Sequence, residues 1–143
     1  MSLEIMPDIE ATVSGWLQSR PELTGVKIAT EWPPNAPTKV VLLHRSGGET
    51  LDSAPMVADN ATLQLDVYAP SKGDASDLTR MVAAVLAADF VGEVEPGVWV
   101  TSTTIGNMLY LADPDVPLAG GKPRPRYALS ISTIVRPMPG APE

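Results

Sequence analysis

The sequence predicts an α+β fold: a mainly antiparallel sheet of about five strands, in the order α-β-β-β-α-β-β, with two helices packed on one face and long Pro/Gly-rich loops. Three observations carry it. Leu63, Leu65 and Val67 alternate with Gln64, Asp66 and Tyr68, the two-residue period of a half-buried strand. Leu78, Met81, Val82, Val85 and Leu86 then recur at i, i+3, i+4, i+7 and i+8, one apolar stripe of a helix. Further on, two strand-like runs, VWVTSTTI at 98–105 and RYALSISTIVR at 126–136, follow one another with no helical pattern between them.

The first element is a helix over about 7–19. Pro7 suits its first turn, Ile9, Val13, Trp16 and Leu17 form its apolar face, and Pro21 closes it. Gly25 precedes a short strand at 26–31. The connection PPNAP at 33–37 is stiff, because proline cannot pair in a ladder. TKVVLLH at 38–44 is apolar on both faces, as a central strand is. These two segments read as a hairpin with a proline-stiffened loop. Residues 45–60 show no period and contain Gly47, Gly48 and Pro55, so they read as a long excursion. The strand ending at Tyr68 is stopped by Pro70. Asp74 or Ser76 is placed to cap the second helix, and Asp77 favours its first turn. Gly92 to Pro96 reads as a turn. A second excursion, 107–125, carries Pro114, Pro117, Gly120, Gly121 and Pro123 before the last strand. The ends, 1–5 and 137–143, are expected to be flexible.

Composition fits one domain over residues 1–143. The chain has 143 residues and is 44% hydrophobic, enough for a core and too much for a disordered segment. No apolar run reaches the roughly 20 residues that span a bilayer, and the acidic start MSLEIMPDIE is unlike a secretion signal. Cysteine is absent, which removes disulfides, thiol nucleophiles and thiolate metal sites and fits a cytoplasmic setting. The net charge of −7 argues against a general polyanion binder.

Motifs that carry chemistry are weak. The sole histidine, His44, ends an apolar strand with no nucleophile elbow beside it. Asp113 and Asp115, like Asp52 and Asp59, lack the spacing of a calcium loop. Gly47-Gly48 and Gly120-Gly121-Lys122 lack the strand–loop–helix setting of a phosphate loop. No catalytic, cofactor or metal site is expected. Lys122, Arg124, Arg126 and Arg136 gather four of the ten basic residues near the last strand. Three readings stay open for them: charges guarding an edge strand, self-association with an acidic edge, or contact with DNA.

The sequence of an amphipathic N-terminal helix, a Pro-rich pair of strands, the strand–helix unit LQLDVYAPSKGDASDLTRMVAAVLA and the closing strand RYALSISTIVR resembles tail terminator proteins of long-tailed (siphovirus-type) bacteriophages and related head–tail completion or minor tail proteins. The long segment at 106–125 and the extended N-terminus depart from that pattern. The resemblance implies a structural virion protein: a hexameric ring on the head-proximal end of the tail tube, assembled in the host cytoplasm. That ring stops tube polymerisation and offers a surface to the head. The implied partners are further copies of the chain, the tail tube protein and the head–tail connector, with no membrane, and nucleic acid only as DNA passing through the ring. Candidate interface residues are then Arg45, Glu49, Asp52 and Asp59 in the first excursion, Met108, Tyr110, Asp113, Asp115, Lys122 and Arg124 in the second, and Arg126 and Arg136 on the last strand. The alternatives are another joining or minor tail protein, or a small enzyme or ligand-binding module, for which His44 and carboxylates would have to converge.

Overall fold

The computed structural model describes residues 6–35, 37–53 and 56–137. In chain order it contains α1 (Ile9–Gln18), a single 3-10 turn (Pro21–Leu23), β1 (Lys27–Ala29), β2 (Val40–Ser53), β3 (Met56–Tyr68), α2 (Lys72–Asp89), β4 (Gly92–Glu95), β5 (Val98–Tyr110) and β6 (Arg126–Pro137). The described strands form one sheet in the order β1-β2-β3-β6-β5-β4. Every pairing is antiparallel except β1 with β2.

Both helices lie on one face of the sheet. Leu63, Leu65 and Val67 of β3 and Leu129, Ile131 and Val135 of β6 are buried there against Ile9, Val13, Trp16 and Leu17 of α1 and Leu78, Val82, Val85 and Leu86 of α2. The Trp16 ring meets Phe90 edge-on, centroids 5.0 Å apart. α1 touches β1 and β2 near one edge of the sheet and β4 at the other, so the sheet curls around it. Asp8 caps α1 through its carboxylate, which accepts from the Ala11 amide at 3.2 Å.

Several expectations change. The N-cap of α2 is Ser71, whose hydroxyl accepts from the Asp74 amide at 3.1 Å, rather than Asp74 or Ser76. Met81 is 44% exposed, while Thr79 takes a fully buried place beside Leu78 and Val82. Met81 lies at the margin of the stripe, and a threonine can be buried on a helix because its hydroxyl bonds back to the Ala75 carbonyl at 2.6 Å. Residues 26–31 and 38–44 do not form a hairpin: Lys27, Ile28 and Ala29 run parallel to Val40, Val41 and Leu42. The ten-residue link, 30–39, is long enough to bring the chain back to the start of a three-residue strand. The turn expected at Gly92 to Pro96 is a sixth strand, β4, joined to β5 by Pro96 and Gly97 (φ 84°), the residues a type II turn favours.

The largest correction concerns 45–60. Residues 45–53 and 56–60 are the far half of a long antiparallel β2–β3 pair that runs from Val40 with Tyr68 to Ser53 with Met56, with one shift of register. Likewise 107–110 belongs to β5, leaving only 111–125 as loop. The glycines that suggested a loop serve a ladder. One extra residue sits between Arg45 and Gly47, and Gly48 then adopts φ 101° opposite Ala61. A Cβ at Gly48 would lie 2.0 Å from the Asn60 carbonyl oxygen. Residues 1–5 and 138–143, expected to be flexible, lie outside the described residues, and Pro137 closes β6.

Gly48→Ala is therefore expected to destabilise the protein by about 2 kcal/mol or more, measured by denaturant titration. An unchanged midpoint would mean that β2 and β3 do not approach this closely.

Candidate interaction surface

Two polar clusters lock the segments that were expected to reach outward. At the β2 bulge, Arg45 grips Asp59 of β3 with both ends of its guanidinium, each nitrogen 2.6 Å from a carboxylate oxygen. Its Nε donates to the Gly47 carbonyl at 2.9 Å, and its backbone amide donates to Glu10 of α1 at 2.7 Å. Asp59 is buried, and its hydrogen bond holds the Arg45 pKa above the ordinary value against partial desolvation. The pair thus ties bulge, central strand and helix together.

The second cluster covers the other face of the sheet at the end of β3. Tyr68 is buried and donates to Asp113 at 2.8 Å. Asp113 also accepts from the Asp115 amide at 2.9 Å and from Arg126 at 3.3 Å. Arg126 donates further to the Leu111 carbonyl at 2.7 Å. Arg124 donates to the Val116 and Pro117 carbonyls and lies over the Trp32 ring, which meets Tyr68 edge-on at 5.0 Å. Burial first, then the bond to Asp113, pushes the Tyr68 hydroxyl up to about 12. Arg126 is raised as well: burial lowers its pKa, but Tyr68, Asp113 and Asp66 outweigh that. The loop 111–125 and the Trp32 connection are pinned to the sheet by these contacts.

The structure thus sorts the candidate interface residues. Arg45, Asp59, Asp113, Arg124 and Arg126 act within the chain, and Asp59 and Asp113 are buried. Arg136 is half-buried with its guanidinium 5.9 Å from the Trp99 ring centre. Met108 packs against the core. Asp115 and Lys122 are exposed. The side chains of Glu49 and Asp52 lie outside the described residues. Tyr110 is 37% exposed, its ring edge-on to Tyr127 at 5.2 Å with the Lys72 ammonium 4.6 Å from its centre. Sequence reasoning missed its neighbours: Leu109 and Leu111 are 55% and 49% exposed at the end of β5, Leu109 on the sheet face opposite Tyr110. Leu109 also borders a shallow groove of about 180 Å3 with Gln64, Asn107, Ala128 and Ser130. The run MLYLA in the sequence was the available signal.

For a small enzyme, His44 and carboxylates would need to converge. His44 is exposed on β2, and among the described residues no three His, Asp or Glu side chains gather as a metal set. No described helix is long and apolar enough to cross a membrane.

A family model described as phage tail termination protein matches residues 5–112, most of the chain. The chain belongs to this family. It is accordingly a structural component of a phage tail. Curated proteins give no match. The family match stops just before Asp113, yet β6 lies between β3 and β5 in the sheet. Residues 113–143, beyond the match, therefore include a central strand, the one that joins β3 to β5.

Two outcomes are expected of these clusters. Arg45→Met should cost about 2–3 kcal/mol in denaturant titrations, less than for a fully buried pair because Arg45 is a third exposed. Arg45→Met/Asp59→Leu should recover most of that loss. For Tyr68, a folded-state pKa raised from about 10 to about 12 means that the stabilisation is complete below pH 10 and is lost as pH rises through 12. Tyr68→Phe should lose about 1–2 kcal/mol at neutral pH and should not show that part of the alkaline decline. Denaturant titrations of both proteins on either side of the window check this.

Proposed function

We propose that this terminator forms a closed ring of identical subunits, six by resemblance, on the head-proximal end of the tail tube. There it stops tube polymerisation and presents the surface that meets the head–tail connector. The ring assembles in the host cytoplasm, and DNA passes through it. The reading is non-enzymatic: the work is done by surfaces.

The observation that carries this, beyond family membership, is the exposure of Leu109, Tyr110 and Leu111 along the end of one sheet edge. A chain that braces loop 111–125 with the Arg126–Asp113 pair leaves Leu109 and Leu111 about half exposed, and Tyr110 exposed on the other face of the same edge. Large apolar side chains left in water along one sheet edge mark a contact with another protein. The locked loops support the same reading, because a pre-ordered surface loses little conformational entropy when it docks. The net charge of −7 keeps passing DNA from adhering.

The test is polymerisation of purified tail tube protein with and without this chain. Short tubes of limited length, each bearing the chain at one end in electron micrographs, are the expected outcome. Tubes that reach their unrestricted length and carry no end label would overturn the proposal.

A further inference from the structure

The sheet has two uncovered edges, one on each side. β1 pairs only with Val40, Val41 and Leu42, and β4 reaches only as far as Val100. Beyond them, among the described residues, 43–53 of β2 and 101–110 of β5 have a strand on one side alone. Glu10 occupies the outward amide of Arg45, so the open part of β2 begins at Ser46.

The β5 edge is unusual for a protein that stays single. Soluble domains guard such edges with charges, prolines or bulges, since free amides and carbonyls invite another strand. Residues 101–110, TSTTIGNMLY, contain no charge and no proline. Two register shifts, at 100/102 and 105/108, are the guard it has. The exposed Leu109 and Tyr110 lie on this edge, one on each face, and Leu111 follows it.

We infer that the β5 edge of one copy pairs antiparallel with the β2 edge, 46–53, of the next; this rests on the ring reading above. Direction favours it. From β2 through β3 and β6 to β5 each strand reverses its neighbour, so β2 and β5 run opposite ways. A ring repeats its subunits by rotation, and rotation about an axis near the strand direction leaves those directions unchanged. The β5 of one copy therefore meets the next β2 as an antiparallel partner. Position favours it too. β1 flanks the row of Val41, Val67, Tyr127 and Tyr110, whereas β4 flanks the opposite end, at Val100 and Val135. Bringing 46–53 beside 101–110 staggers neighbouring sheets, and each short strand then abuts the end of its neighbour's edge. Stagger of this kind is what closure of a sheet requires. The contact is head-to-tail, so every subunit uses both edges, and a closed ring leaves neither exposed.

The absence of cysteine makes a direct test clean. Ser46→Cys combined with Leu109→Cys, and separately with Tyr110→Cys for a neighbouring register, would be oxidised at high protein concentration. The proposal expects one of these double variants to give a covalent ladder on a denaturing gel, ending at the subunit number of the ring. Each single variant should stay monomeric, and a mixture of complementary singles should give dimers and nothing larger. Rings in micrographs without a ladder would overturn edge pairing and leave the ring intact. Neither rings nor ladder at any concentration would overturn the pairing, with tube capping deciding the terminator reading separately. Single variants that cross-link as well as the doubles would indicate a two-fold contact and overturn it as well. Thr104→Lys places a guarding charge mid-edge. It should raise the concentration needed for assembly by about tenfold or more with unchanged thermal unfolding, and unaltered assembly would count against the proposal.

Discussion

β3 is covered on both faces over its second half, and the rest of the molecule is arranged to meet that constraint. Leu63, Leu65 and Val67 must leave water on one side, and two helices are placed there. Asp66 and Tyr68 are buried on the other side, where polar groups cannot be left without partners. The solution is a cap of irregular chain. Asp113 accepts the Tyr68 hydroxyl, Arg126 holds Asp113, and Trp32 with Arg124 stacks over the same place. Loops that are free in sequence become fixed because a buried tyrosine needs an acceptor.

The same economy appears at the bulge. Inserting one residue between Arg45 and Gly47 breaks the ladder locally, and the bidentate pair with Asp59 restores order across the break. Glu10 then joins helix and strand at the same point. Buried ion pairs add little net stability against an apolar alternative, but they tolerate few geometries.

What remains unsatisfied lies at the margins of the sheet. Its interior is packed and its loops are braced, yet one edge ends in Leu109, Tyr110 and Leu111. In the proposed ring, head-to-tail contacts return on themselves and closure consumes each free edge.

The sequence by itself determined the layers of this protein. Period two at 63–68 and the helical stripes of α1 and α2 follow from which side chains avoid water, and that is a local pattern. The two helices on one face and the succession of the main strands along the chain were legible for this reason. The tertiary structure decided what depends on partners far along the chain. Residues 45–60 looked like loop because Gly47, Gly48 and Pro55 lower strand propensity; the ladder with β3 overrides it. β1 looked like half of a hairpin, and its parallel place emerged only with α1 and β2 packed beside it. Five of the ten candidate interface charges, Arg45, Asp59, Asp113, Arg124 and Arg126, also bond within the chain, because pairing of Arg45 with Asp59 and of Arg126 with Asp113 is set by which strands adjoin. Strand adjacency is a long-range choice, fixed by the summed burial of the whole sheet rather than by any residue's own preference.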